Sequence, residues 1–510
     1  MEVNPGPRGL KLTTTNTTMK SNRTSSGWFR SALSQPLDGR PPRRARVPGV
    51  AIALLLLGGA AGPEALLGQT NLLDTNFNVG TGVSGSFVHA LALDSDGRIV
   101  LGGNFTRVQG VSRSCVARLL SDGTLDSSFN PGTGANNEVL ALANQPDGKV
   151  LLGGMFTRVN GTNCTRLARL NSDGSLDSSF QIGSGANGGV RDIALQPDGK
   201  ILIVGQFLKF NGTNRSCVAR LDANGQLDAS FDPGSGVGGT RFVDAVRVLG
   251  DGRMLISGDF NSYNGTPRAS IARLHPDGSL DTTLDPGCGA KPDDPIMALA
   301  VQADGKIVIA GSFTAFNRKP WSSIGRLLPD GQPDPDFDPG RGANGGSAGF
   351  TLVHSVAVDA GGNILVGGWF DRVDNCARPY LARLLPSGKP DTNWNARVDA
   401  QVRTLVIQPD GRVVLGGNFT KVSGAVRGGV ACIQSGRIAD GCFRSSRCLD
   451  RTTLLLEFQG VMTNSYQIET STDLRVWEPW VVVSGGSPVQ LTDLGIDAQE
   501  RRFYRASRQP

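Results

Sequence analysis

Apolar residues in this chain come in short blocks separated by polar, Gly-rich turns, and the blocks recur in a fixed order. The stretch 139–180 shows the order most plainly. An apolar block, Val139-Leu-Ala-Leu-Ala143, meets the turn Pro146-Asp147-Gly148. A second block runs from Lys149 to Phe156 and reaches the turn Asn160-Gly161. A third, Arg166 to Leu170, leads through Asp173-Gly174 to a fourth, Leu176 to Phe180. Asp-Gly and Asn-Gly between apolar runs favour antiparallel hairpins, so each unit predicts a four-stranded antiparallel sheet. The first two strands are almost continuously apolar, as expected where both faces of a sheet are covered. One such sheet cannot bury two faces alone, so the units must sandwich one another.

The unit occurs seven times. The Gly of the first turn falls at Gly97, Gly148, Gly199, Gly252, Gly305, Gly362 and Gly411, with spacings of 51, 51, 53, 53, 57 and 49 residues. A period near fifty with several short strands per unit predicts a radially repeated all-β protein, a seven-bladed propeller. Each second strand ends in Gly, followed two residues later by Phe, from Gly103 and Phe105 to Gly417 and Phe419. Glycine there permits a bulge or a close approach between blades. The third strands carry Arg118, Arg169, Arg220, Arg273, Arg326 and Arg383, with Cys432 in the seventh place. The fourth strands carry Asp126, Asp177, Asp228, Asp281, Asp334 and Asp391, which predicts a repeated Arg–Asp pair locking each blade. A fourth-strand pattern, Leu73-Asp74-Thr75-Asn76-Phe77, also stands ahead of the first unit, while the seventh unit's own copy is degraded. That displacement predicts that the N-terminal strand completes the last blade and closes the ring.

The units read x-V-x-A-L-A-x-Q-x-D-G-K-I-L-x-G-G-x-F-T-x-V-N-G, then I/V-A-R-L-x-x-D-G-x-L-D-x-x-F, and resemble delta-60 repeats, a bacterial β-propeller family. The resemblance covers residues 71–440. It implies an exported or surface protein and assigns no particular activity.

Charge narrows the partners. The formal net charge is +6, but residues 1–69 hold nine Lys/Arg against three acids, and the remainder balances. A neutral body has no field to gather phosphates, which argues against nucleic acid. The leader charges have another use. Arg43-Arg44-Ala45-Arg46 precedes the apolar run Val50–Leu57 and the small residues Gly58 to Gly62, the order of a secretory signal with cleavage expected between Ala61 and Thr70. The run is too short for a comfortable membrane span, so the mature chain is expected to be secreted or held at the cell envelope, as a monomer with no spanning segment. Eight cysteines do not form a framework, since their places in the repeats differ. Only Cys442 and Cys448 are near enough in sequence to suggest a local clip. No spacing calls for a metal or cofactor.

Chemistry is sought where the copies disagree. At the entrance to the first strand the seven units carry His89, Leu140, Arg191, Asp244, Met297, His354 and Arg403. If that strand is innermost, His89, Arg191, Asp244, His354 and Arg403 ring the mouth of the channel and suit an anionic ligand or acid–base work. Two long connections on the same face, 289–295 with Lys291, Asp293 and Asp294, and 342–351 with Phe350, lie beside Trp321 and form candidate binding loops. The reading is a non-catalytic binding or display scaffold for a protein, glycan or small ligand. The alternative is a hydrolase or lyase with its site at the same mouth, which requires His89, His354 and an acid to converge.

The period stops after residue 440. Residues 441–451 read as a linker, and 452–510 as a small β-sandwich-like domain, with strands expected over 452–458, 465–470, 480–483, 489–492 and 502–506.

Overall fold

The computed structural model describes residues 72–239, 242–291, 293–346 and 350–434. It also describes the strands Leu12–Thr13, Cys442–Cys448, Thr453–Gln459, Ser465–Ser471, Glu478–Ser484, Val489–Leu494 and Phe503–Arg508. Every regular element among these residues is β. The chain divides into two compact units, Leu67–Gly436 and a second drawn from Met1–Leu66 with Arg437–Pro510. The predicted signal, residues 43–62, lies outside the described residues. No helix among those described is long and apolar enough to cross a membrane.

The larger unit holds seven sheets of three strands, each in the order inner, middle, outer. The first is Val88–Leu93, Ile99–Gly103 and Val116–Leu119, and the last is Val402–Ile407, Arg412–Gly417 and Val430–Gln434. The middle strands are buried almost throughout. The predicted fourth strand is shorter than expected. It survives as one bridge beside the outer strand, such as Leu119 with Leu125 and Leu170 with Leu176. After that bridge Asp126 turns back, because its carboxylate takes the Ser128 N–H and O–H in place of a ladder partner. The structure adds a two-residue hairpin after each of most middle strands, for example Arg107–Val108 with Val111–Ser112. In three units a strand from the preceding connection joins it, as Val83–Ser84 does with Arg107–Val108.

Each inner strand touches the inner strand of the next sheet, and the seventh touches the first. The middle strands make room for this. A Cβ at Gly102 would lie 2.8 Å from Val139 Cγ1 of the next sheet, one at Gly153 2.7 Å from Val190, and one at Gly416 2.8 Å from Val88 of the first sheet. The early strand joins the last sheet. Leu73 bridges Ile433, the Asp74 N–H donates to the Cys432 carbonyl at 2.9 Å, and the Gln434 N–H donates to the Leu72 carbonyl at 2.7 Å.

The expected Arg–Asp pairs are present in all six units that carry them, from Arg118–Asp126 at 2.7 Å to Arg383–Asp391 at 2.6 Å. Each guanidinium does more than the sequence suggested. Arg118 donates from its second nitrogen to the Ser172 carbonyl of the following unit, 2.8 Å away, and lies over the Phe129 ring at 4.6 Å. Arg169, Arg220, Arg273 and Arg326 repeat the reach, to the carbonyls of Ala223, Pro276, Pro329 and Pro386. One side chain thus ties the third strand, the fourth segment and the next blade. In the seventh unit Cys432 replaces the arginine, and Arg412 from the middle strand reaches Asp74 at 2.9 Å.

In the smaller unit, Leu12–Thr13, Val489–Leu494, Thr453–Gln459 and Cys442–Cys448 form one sheet, while Glu478–Ser484, Ser465–Ser471 and Phe503–Arg508 form another. Two expectations need correction. The predicted linker contains a strand, Cys442–Cys448, paired with Thr453–Gln459. Its extended backbone also holds Cys442 and Cys448 roughly 20 Å apart at the Cα atoms, far beyond the reach of a disulfide. The six cysteines of the larger unit form no disulfide.

Candidate functional site

The entry end of every inner strand is bulged. Val88 pairs with Gly103 and Ala90 with Gly102, so His89 has no cross-strand partner. The same slip leaves Leu140, Arg191, Asp244, Met297, His354 and Arg403 unpaired in the other six sheets. An extra residue in one strand bends it and re-aims its side chain. The sequence had aligned these seven positions without seeing what makes them alike. The bulge also explains the invariant Gly. A Cβ at Gly154 would collide with the carbonyl oxygen of Glu138, and the same collision recurs from Gly103 with Phe87 to Gly417 with Gln401. The constant glycine therefore exists to seat the variable residue.

Around the ring these residues form two polar groups separated by Leu140 and Met297. In the first, Arg191 donates to Asp244 Oδ1 at 2.5 Å and lies over the Phe242 ring at 4.7 Å. Burial pushes the Asp244 carboxyl up to about 6, against the pull of Arg191, and Asp259 and Asp192 add to the rise. Its Oδ2 is buried without a hydrogen-bond partner.

The second group spans the sixth, seventh and first units. Arg403 lies over the Phe87 ring at 4.2 Å, and Phe87 stacks on His89 at 5.6 Å. Burial lowers His89 to about 4, with Arg403 adding to the drop. Burial lowers His354 to about 3, again helped by Arg403 and by His89. Both imidazoles are therefore neutral near pH 7, and their Nε2 atoms are buried without partners. Desolvation lowers Arg403 as well, and Glu138 acts the other way. The Glu138 carboxylate is occupied by Asn104, whose side-chain N–H donates at 3.2 Å.

The sequence missed the two phenylalanines, which stand two residues before a bulge and vary between copies, so only the fold marks them. It also missed Asp192, one residue past its bulge. Asp192 accepts from Val246 N–H at 3.0 Å and Arg247 at 2.8 Å across to the next sheet. Ser355 repeats this bond to Leu405 N–H at 3.1 Å.

The candidate loops fare unevenly. Lys291 and Asp293 are exposed, and Phe350 is 69% exposed. Asp294 is used internally, accepting from Thr314 N–H at 3.1 Å and its hydroxyl at 2.9 Å. Trp321 is no binding residue: it is 5% exposed and packs edge-on against Phe337 at 6.3 Å, with Lys319 over its face. Between exposed Pro320 and half-buried Ser322, this ring turns into the core ahead of the strand Ile324–Leu327. Among the described residues no cluster of three or more metal-ligating side chains occurs, and no hydrogen bond joins either rim histidine to a carboxylate.

Seven sheets whose inner strands follow one another, each bulged at one end, define a β-propeller. The chain carries seven repeats that match the family described as "Domain of unknown function (DUF5122) beta-propeller", over residues 95–129, 145–180, 196–231, 249–284, 302–337, 362–393 and 408–436. No curated protein matches it in sequence. Among solved structures, the chain is similar to the extracellular domain of BT4673 from B. thetaiotaomicron, at 14% identity and TM-score 0.43. That match covers 76% of this chain and 46% of the other, so the chain spans less than half its length. It is also similar to apo AztD from Citrobacter koseri, at 10% identity and TM-score 0.29, covering 82% and 88%. A glycoside hydrolase matches at 11% identity and TM-score 0.25, covering 85% and 97%.

Proposed function

We propose that this chain is an exported, closed seven-bladed propeller of the delta-60 kind, monomeric and non-catalytic, that binds a protein, glycan or small ligand at the mouth of its channel outside the cell or at its surface. The observation that carries the reading is the bulge. Seven equivalent backbone kinks aim seven side chains at one ring, and those side chains differ while the residues that build the kink stay constant. Selection for packing alone gives no reason to vary the aimed residue while holding the glycine constant. The exposed Lys291, Asp293 and Phe350 extend the same face as secondary contacts, and the small C-terminal β domain serves attachment or stability. The hydrolase or lyase alternative needs an acid beside His89 and His354, and Asp244 is instead engaged by Arg191 while Glu138 accepts from Asn104.

Native mass spectrometry of the full chain against glycan and metabolite panels tests the reading. The expected result is a bound ligand lost when His89, Arg191, His354 and Arg403 are replaced by alanine together. Binding that survives this replacement, or turnover of a panel member, overturns it.

A further inference from the structure

The two polar groups at the rim are the same construction with one part exchanged. Arg191 of the third unit lies over Phe242 of the fourth, and Arg403 of the seventh lies over Phe87 of the first. Phe242 and Phe87 occupy equivalent positions, each two residues before the bulged residue of its strand. Where the fourth unit bulges Asp244 toward its arginine, the first bulges His89. The carboxylate that answers Arg191 therefore has no counterpart at Arg403. Among the described residues no carboxylate pairs with Arg403, and its Nε, like that of Arg191, is buried without an acceptor. The outer arginines, Arg118 to Arg383, each hold a carboxylate within 2.8 Å. Other buried or half-buried arginines without a carboxylate, Arg113, Arg166, Arg215, Arg268 and Arg427, each donate to a backbone carbonyl instead, and a guanidinium left unanswered is costly.

We propose that Arg403, with His89 and His354, binds the carboxylate of an external small molecule, in the role that Asp244 plays for Arg191. This rests on the binding reading above and names the chemistry of its ligand. All three groups offer N–H donors, and the two imidazole Nε2 atoms are buried and free of partners within the protein. Because both imidazoles are neutral and an arginine stands between them, a metal cation is disfavoured and an anion favoured. Glu138, the acid within electrostatic range, is held by Asn104 and stands as the limit on charge: it disfavours a dianion more than a single carboxylate. Phe87 fixes the guanidinium plane, so its fork is presented ready-made to a two-oxygen acceptor.

The chain has three histidines, which makes the test direct. In the full chain with labelled histidine, NMR resolves His89, His354 and the exposed His275, which serves as internal control. Acetate, benzoate and galacturonate are titrated at constant ionic strength, with inorganic phosphate and chloride as comparison anions. The expected result is a saturable shift of His89 and His354, with His275 unmoved, and affinity about tenfold or more weaker in Arg403→Gln. His89→Asp supplies an internal carboxylate and should abolish the response of His354 while the protein stays folded. Absence of a saturable shift with every carboxylate overturns the proposal, as does a shift that persists in both variants. Phosphate binding more tightly than any carboxylate overturns the assignment of ligand class. A panel ligand that binds independently of Arg403 sinks this inference and leaves the broader binding reading standing.

Discussion

The outer edge of the propeller and its inner rim handle buried charge in opposite ways. Along the edge, six arginines meet six aspartates in nearly the same geometry, and each carboxylate also takes a backbone N–H, joined by a hydroxyl donor at Asp126, Asp177, Asp228 and Asp281. Although burial works to raise Asp177 and Asp281, those hydrogen bonds win and hold both carboxyls below their ordinary value. At the rim, Asp244 is raised, His89 and His354 are lowered, and several polar atoms lack partners. Repetition has solved the edge once and copied the answer. The rim differs from copy to copy, and its unanswered polar groups are what the binding reading proposed above rests on.

The largest test of that contrast strikes the edge. Arg273→Ala removes a guanidinium that serves Asp281, Thr283 and the Pro329 carbonyl, and should cost about 3–5 kcal/mol in urea unfolding. A loss no greater than that of an exposed arginine would erase the distinction between edge and rim.

The next two tests use acid. His89 and His354 have folded values below the free imidazole, so the unfolded chain takes up protons first. Their contribution is intact above about 6.5 and is lost as pH falls toward 4 and 3. His354→Leu should flatten that decline by on the order of 3 kcal/mol, read from unfolding midpoints across the range. Asp244 has the opposite sign. Its folded value is raised, so its stabilising contribution is present below about 3.8 and is lost as pH rises through about 6. Asp244→Asn should remove a slope of about 2 kcal/mol between those limits. If both variants keep the wild-type pH profile, the rim is no more perturbed than the edge.

The smallest test repairs an exception. Cys432 stands where six units have arginine, its thiol pushed up to about 12 by burial, and Arg412 is the cation that meets Asp74. Cys432→Arg should be accommodated beside Asp74 and raise stability by about 1 kcal/mol in the same urea assay. A destabilised protein would show that the seventh blade has drifted too far from the others to accept their lock.

Much of this was legible in the residues. The turn glycines set the register of the sheets, the Arg–Asp recurrence announced the edge lock, and the early Leu73–Phe77 copy pointed to its partner strand 360 residues later. What stayed hidden depends on contacts between copies. That Gly154 and its equivalents serve a bulge requires the neighbouring strand's carbonyl to be in place. That Arg403 sits over Phe87 requires the last unit to meet the first. Trp321 misled for a simpler reason: a short segment between polar residues reads as a loop, and only burial reveals an anchor. Cys442 and Cys448 misled because six residues is near in a coil and far along an extended strand.

The pairing of Asp74 with Arg412 joins residues 338 positions apart. At roughly 5–20 residues per second, a ribosome delivers the arginine about 20–70 s after the aspartate. Throughout that interval the first strand has no sheet to enter, and each finished blade presents a bare edge to the next. The order of manufacture thus runs against the order of closure: the segment made first is among the last to be fastened. A protein built this way is kept open by its own topology until the final blade arrives.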